Sequence, residues 1–260
     1  MYRQFEIPFN HTDELLQFLN RNKNLLLRYV KHILVAPFID DYKSTRHNEA
    51  IKPVNRTEYE HQIMQLQSMG YKIALLFNMP GNVDESMIEY YTKLNIDTFI
   101  INNDEVAISL HKLGFTTISS ITKRMQLNDI ISRDLSMYDY IVLDYTFNAS
   151  LDRIKKLPKT NKYILMVNTL CDYTCDFYSH WQEKANYQCP RLINGDKNTT
   201  MIKPQDYNLF DEYISIYKLQ GREYSTKIIV EHIMYYILQK YKYGDNRPTP
   251  DGYYYRYKGE

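Results

Sequence analysis

Three cysteines are the residues of this chain best suited to chemistry, and all fall in one short stretch, Cys171-Asp-Tyr-Thr-Cys175 continuing through His180 to Cys189-Pro190. Three residues separate Cys171 from Cys175, so both thiolates can meet one metal centre, and Cys189 can loop back to the same point. Soft thiolates select zinc or iron–sulfur clusters over magnesium or calcium. His180 is the candidate fourth ligand, and a Cys3His set suits zinc. The blander reading is that these cysteines pack as small hydrophobes. The polar neighbours Asp172, Thr174 and Asp176 speak against it.

The elements that would position this stretch follow from the apolar pattern. Short β-rich runs alternate with amphipathic stretches, as in βα units around a parallel sheet. The expected strands are His32–Pro37, Tyr71–Phe77, Asp97–Ile101, Phe115–Ser119, Tyr138–Leu143, Tyr163–Val167, the short and weak Thr200–Ile202, and Ile214–Leu219. Several are continuous apolar runs, as strands buried on both faces should be. Helices are expected over Thr57–Met69, Asp84–Leu94, Asp104–Leu113, Gln126–Leu135, Leu151–Leu157 and Ser225–Lys240. Eight strands favour a single closed (β/α)8 TIM-like barrel, its seventh strand distorted or incomplete. An open doubly wound sheet is the alternative, but no G-x-G-x-x-G turn follows the first strand. At 260 residues the chain is near the ~250 typical of such a barrel. The expected organisation is one barrel domain over 1–243, with the cysteine-bearing loop at 168–199, and a polar tail over 244–260. Arg3–Arg28 is expected to precede the first strand and cover the bottom or one side of the barrel.

Lys and Arg number 32 against 31 acidic residues, so a net charge of +1 gives no bulk attraction to RNA or to a membrane surface. The N-terminus lacks a basic region followed by an apolar core, and no apolar run reaches the ~18 residues of a membrane span. A cytoplasmic, reducing setting is therefore expected, in which clustered cysteines bind metal or do chemistry.

Barrels of this kind react at the C-terminal ends of their strands. Reading past each expected strand gives Phe38–Asp41, Asn78–Met79, Asn102–Asn103, Ser119–Ser120, Asp144–Tyr145, Asn168–Cys171, Lys203–Pro204 and Gln220–Arg222. Lys203 and Arg222 could hold a substrate carboxylate or phosphate; equally, Arg222 could pair with Asp206 or Glu223. Asp144 and Asn168 could orient a substrate or cap the turns that follow them. Asp40, Asp41 and His47 read as a solvated loop. His11, His32, His61, His111 and His232 lack metal-ligand spacing and read as structural or surface residues.

Three motifs together resemble the peptidase U32 family. Val167–Trp181 (VNTLCDYTCDFYSHW) resembles that family's strand ending in Val-Asn, followed by cysteines and a histidine. Further on, Lys203-Pro-Gln-Asp206 and Tyr217-Lys-Leu-Gln-Gly-Arg222 resemble its Lys/Arg-Pro-Glu-Asp and Lys-Ile-x-Gly-Arg segments, in the same order. The match covers roughly Phe99–Tyr236. The resemblance implies a barrel carrying a [4Fe-4S] cluster at its mouth, held by Cys171, Cys175 and Cys189. It implies an oxygen-independent hydroxylase acting on a small molecule or peptide, a large RNA fitting less well with the neutral charge. Other readings are a non-catalytic barrel stabilised by a cluster or Zn2+, paired with a related chain, or a U32-type peptidase. The sequence carries no Ser–His–Asp arrangement and no H-E-x-x-H motif for conventional proteolysis. It departs from the family pattern in having three cysteines where four are usual, Gln205 in place of Glu, and Gln220 before Gly221.

Overall fold

The computed structural model describes residues 2–38, 55–77, 85–160, 162–169, 201–221 and 224–240. Eight strands form one sheet in the order β5-β4-β3-β2-β1-β8-β7-β6, every pairing parallel. They are β1 (Phe5–Pro8), β2 (Val30–Val35), β3 (Ile73–Phe77), β4 (Thr98–Ile101), β5 (Thr116–Ser119), β6 (Ile141–Val142), β7 (Tyr163–Met166) and β8 (Ile214–Lys218). The two ends of the order meet at a single bridge, Ile118 to Tyr140. The Ser119 side chain takes over where the ladder there stops, its Oγ accepting the Val142 N–H at 2.9 Å. The result is a (β/α)8 barrel with one loosely stitched seam.

Among the described residues the helices are α1 (Asp13–Arg21), α2 (Lys23–Leu26), α3 (Arg56–Ser68), α4 (Glu85–Lys93), α5 (Asp104–Lys112), α6 (Leu127–Ser132), α7 (Leu151–Lys155) and α8 (Thr226–His232), which runs on as a π-helical turn, Ile233–Ile237. Local chemistry sets their starts. Thr12 caps α1 by accepting the Leu15 N–H, and Asn103 caps α5 by accepting those of Glu105 and Val106. For α3 the cap is Asn55, accepting the Glu58 N–H, so the helix begins at Arg56, one residue before the expected Thr57. None of these helices is long and apolar enough to cross a membrane.

Two expectations are corrected. The segment Arg3–Arg28 does not merely cover the barrel; it contains β1, α1 and α2, so His32–Val35 belongs to the second strand. Four residues, FEIP, one of them charged and one proline, are too few for a periodic signal. Met201 and Ile202 form no strand: Ile202 donates one backbone bond to Val167 O (3.0 Å), and Pro204, which has no N–H, opens a 3-10 turn. Eight strands stand, but the seventh of the expected set is replaced by β1.

Followed strand by strand from Glu6, the register leads through His32 to Gly114 one way round and through Lys218 to Thr122 the other. These positions on the β5 line lie eight residues apart, the shear of a TIM barrel. The interior-facing residues then sort into three layers of four. The lower is His32, Thr98, Tyr140 and Ile216; the middle is Glu6, Ala74, Ile118 and Ile164; the upper is Leu34, Ile100, Val142 and Lys218. Seven of these apolar side chains form one buried cluster inside the barrel. The larger cluster, with Ile7, Phe99, Leu143 and Leu165, lies between the strands and the helices.

The exceptions include a buried ion pair, Glu6 with Lys218, and a histidine bonded to it. Glu6 is fully buried and bridges two neighbours in register, accepting from His32 Nδ1 at 3.0 Å and from Lys218 Nζ at 3.0 Å. Burial pushes its carboxyl up, but the Lys218 ammonium and the His32 hydrogen bond outweigh that and hold it down at about 2. Glu6→Gln is expected to cost about 3–5 kcal/mol, because it strands a buried lysine. The triple change Glu6→Leu, His32→Leu, Lys218→Met is expected to be neutral or stabilising by the same principle. Urea unfolding of the two variants at pH 7 checks both.

Candidate functional site

The C-terminal mouth of the barrel is built from the positions that continue the interior pattern. Above the upper layer come Pro8, Leu76, Ser120 and Met166, then Ala36, Asn102, Asp144 and Gln220, and then Asn10 and Asn168. An apolar plug is thus crowned by short amide, carboxylate and hydroxyl side chains. The sequence placed Asn102, Ser120, Asp144, Asn168 and Gln220 at this face, and there they stand.

At the mouth of β7 and β8, Asn168 and Gln220 are clasped twice. Gln220 N–H donates to Asn168 Oδ1, and Asn168 Nδ2 donates to Gln220 O, each at 2.9 Å. A backbone N–H can only donate, so this pairing fixes which end of the amide is which. The second Nδ2 hydrogen faces His232 Nδ1 at 3.0 Å. That nitrogen is therefore an acceptor, and the neutral ring carries its proton on Nε2. Burial pushes the imidazole down to about 3. His232, read from sequence as structural or surface, lies buried against the mouth.

Gly221 follows at φ +114, a conformation other residues rarely adopt, and a Cβ there would collide with the Tyr224 ring. It turns the chain from β8 towards α8. Asn10, past β1, donates to Tyr224 O (3.1 Å) and Thr226 Oγ1 (3.2 Å), tying the start of α8 to the neighbouring strand at the same opening.

At the mouth of β5 and β6 the central group is Asp144, fully buried. Its Oδ2 accepts from Arg124 Nε at 2.8 Å, and its Oδ1 accepts from Thr146 N (3.0 Å) and Oγ1 (2.6 Å). Arg124 also donates to Tyr145 OH and lies over that ring, 4.9 Å from its centre. It does so from a left-handed backbone, φ 47, which costs an arginine about 1–3 kcal/mol. Of the two roles expected of it, Asp144 fills the capping one, and it also holds Arg124, which the sequence did not indicate. Nearby, Lys123 pairs with Asp104 at 2.7 Å, and Asn102 Oδ1 is a buried acceptor with no hydrogen-bond partner among the described residues.

Lys203 is exposed and stands just before the 3-10 turn Pro204–Leu209, not at the end of a strand. Cys171, Cys175, His180, Cys189 and Arg222 lie outside the described residues, as do Asp40, Asp41, His47 and the tail 244–260. Among the described residues no three His, Cys, Asp or Glu side chains come together as a metal site. Of the described residues near that stretch in sequence, Thr169 is buried just past β7, and Ile202 donates back to Val167 O. A cleft of about 1080 Å3 opens at the opposite end of the barrel, lined by residues such as Arg3, Tyr29, Lys162 and Asp211. Its size gives it no claim over the mouth, since barrels work at the C-terminal ends of their strands.

Sequence reasoning missed Glu6, His32, Lys218, Arg124 and His232. A usable signal existed for His32 and Lys218, each a titratable residue inside an apolar strand run; Glu6 gave none, because its strand is too short and too polar to register. Arg124 gave none, because its role depends on a left-handed turn that the residue type does not announce.

Fold and site define a (β/α)8 barrel with a polar C-terminal mouth. In fold it is similar to the U32 peptidase Mk0906, with a TM-score of 0.56 at 12% identity over 85% of this chain and 93% of that one. A glycerol uptake operon antiterminator-related protein from Thermotoga maritima aligns over 85% of this chain and 97% of its own, at 9% identity and a TM-score of 0.47. No family model and no curated protein matches the sequence.

Acid is expected to act in two overlapping steps. His232 is depressed in the folded state, so stability begins to fall below about pH 6.5, where the unfolded chain takes up that proton first. Glu6 is also depressed, so its contribution, present above pH 4.5, is lost as pH drops towards 2 and amounts to about 3 kcal/mol. Urea titrations at a series of pH values check this, and His232→Phe should flatten the upper step. Gly221→Ala is expected to cost at least ~2 kcal/mol, from its backbone angle and the Tyr224 contact.

Proposed function

We propose that this chain is a U32-like iron–sulfur enzyme working at the barrel mouth, and that its reaction is oxygen-independent hydroxylation of a small molecule or peptide. The observation that carries the reading is the polar crown above an apolar plug, with Thr169 and Ile202, which flank the cysteine-bearing stretch in sequence, beside the end of β7. The likeness in fold to a U32 peptidase supports the family side of it.

The donor set fits a cluster incompletely. A cubane takes four protein ligands, commonly cysteine thiolates, and this chain has three cysteines in all, Cys171, Cys175 and Cys189. The fourth position falls to His180 or stays open; when bound, such a cluster supplies an iron able to take up a water or substrate oxygen. Hydroxylation without O2 converts a C–H bond and water to C–OH with release of two protons and two electrons, so an external electron acceptor is required. Within the mouth, Asp144 and Arg124 offer a fixed polar edge for a substrate, and His232 stays neutral. Lys203 and Arg222 are the candidates to hold a carboxylate or phosphate.

The test is anaerobic purification with iron, sulfide and zinc assayed beside the visible spectrum, on the wild type and on Cys171→Ala. About four irons and four sulfides per chain, lost in the variant, is the expected result. Stoichiometric zinc would replace the cluster with a structural Cys3His site and favour the scaffold reading. Absence of any metal, together with cleavage of a protein substrate by the isolated chain, would install the peptidase reading instead.

A further inference from the structure

The layers that hold Glu6, His32 and Lys218 are ones that barrels fill with branched apolar side chains. Desolvating charges inside a fold costs more than their attraction returns unless their remaining hydrogen-bond capacity is met. Glu6 meets its need, one oxygen on His32 and the other on Lys218. Lys218 does not. An ammonium has three N–H donors, and among the described residues Glu6 is its single hydrogen-bond acceptor.

Position adds to this. Lys218 is in the upper interior layer, beside Met166 and two residues below Gln220 of the mouth. Its side chain keeps 7% of its surface where that of Glu6 keeps none. On the β1 and β2 side the next inward positions, Pro8 and Ala36, carry no long side chain over the pair; on the β7 side Met166 lies over Lys218. Unused donors on a buried cation beneath a polar opening are the arrangement that receives an oxygen lone pair.

We propose that Lys218, charge-balanced by Glu6, is a ligand-binding residue at the floor of the mouth that donates to an oxygen of a carbonyl or carboxylate group on the bound molecule. The pair is neutral as a unit, so an uncharged carbonyl oxygen is preferred over a carboxylate. His32 holds the other oxygen of Glu6 and is a positioning residue. The inference rests on the mouth being the working face; it does not need the cluster.

The test uses the full chain with 15N-labelled lysine side chains, titrated with acetamide and separately with acetate. The Lys218 ammonium signal is identified as the one lost in Lys218→Met, or in Lys218→Arg should the methionine variant not fold. Expected is a saturable shift of that signal with acetamide, at a concentration roughly threefold lower than with acetate. The exposed Lys112, at the C-terminal end of α5, should show no saturation. In Glu6→Gln the order of the two probes should reverse; if that variant does not fold, the wild-type titration alone decides. A tighter response to acetate in the wild type overturns the charge-balancing role of Glu6, and no saturable shift with either probe overturns the proposal. Iron and sulfide measured on the same sample report on the cluster alone, so the two readings can fail separately.

Discussion

The structure depends on one buried carboxylate. Glu6 lies on the shortest path between the two halves of the barrel, with His32 of β2 on one side and Lys218 of β8 on the other. β1 meets β8 in register at only two pairs, Phe5 with Tyr217 and Glu6 with Lys218. A four-residue strand gives little ladder energy, and a shift by one residue would turn Glu6 outward and Ile7 inward. The ionic contacts make that slip costly, because it would bury Lys218 without a partner. Register at β1 sets where Asn10 emerges, and Asn10 in turn holds the start of α8.

Such a device is expensive, which is why its location matters. Apolar side chains fill the rest of the interior and would serve stability as well or better at these three positions. The opposite side of the barrel is economical by contrast: the seam between β5 and β6 has one bridge, the Ser119 hydroxyl, and the bonds of Thr117 to Met137 and Asp139. The mouth above that seam is then organised by Asp144 and Arg124, whose left-handed backbone is held by the bond between them. Polar groups with fixed hydrogen-bond roles thus frame both sides of the opening. At Asn168 even the imidazole tautomer of His232 is set by a backbone pairing.

Much of this architecture was legible in the chain. Continuous apolar runs such as IALLF and YILM mark strands buried on both faces, and with the alternation of β-rich and amphipathic stretches they indicate seven of the eight strands. Because side chains alternate in a strand, locating its end also located the mouth residue, and Asn102, Ser120, Asp144, Asn168 and Gln220 followed. β1 escaped because FEIP is too short and too polar for periodicity to register. Thr200–Ile202 was taken in its place because three residues of suitable type cannot be told from a strand without a partner for their backbone.

By itself, then, the sequence determined the alternation of strand and helix, the closed barrel that eight parallel strands favour, the face at which polar residues gather, and the concentration of all thiols in one stretch that follows β7 in sequence. Only the tertiary structure decided that Glu6, His32 and Lys218 meet inside the barrel, that Arg124 turns back onto Asp144, and that His232 is buried neutral against Asn168. The physical reason is range. Strand and helix patterns are set by residues a few positions apart, whereas Glu6 and Lys218 are separated by 212 positions and find each other only through the register of closed strands.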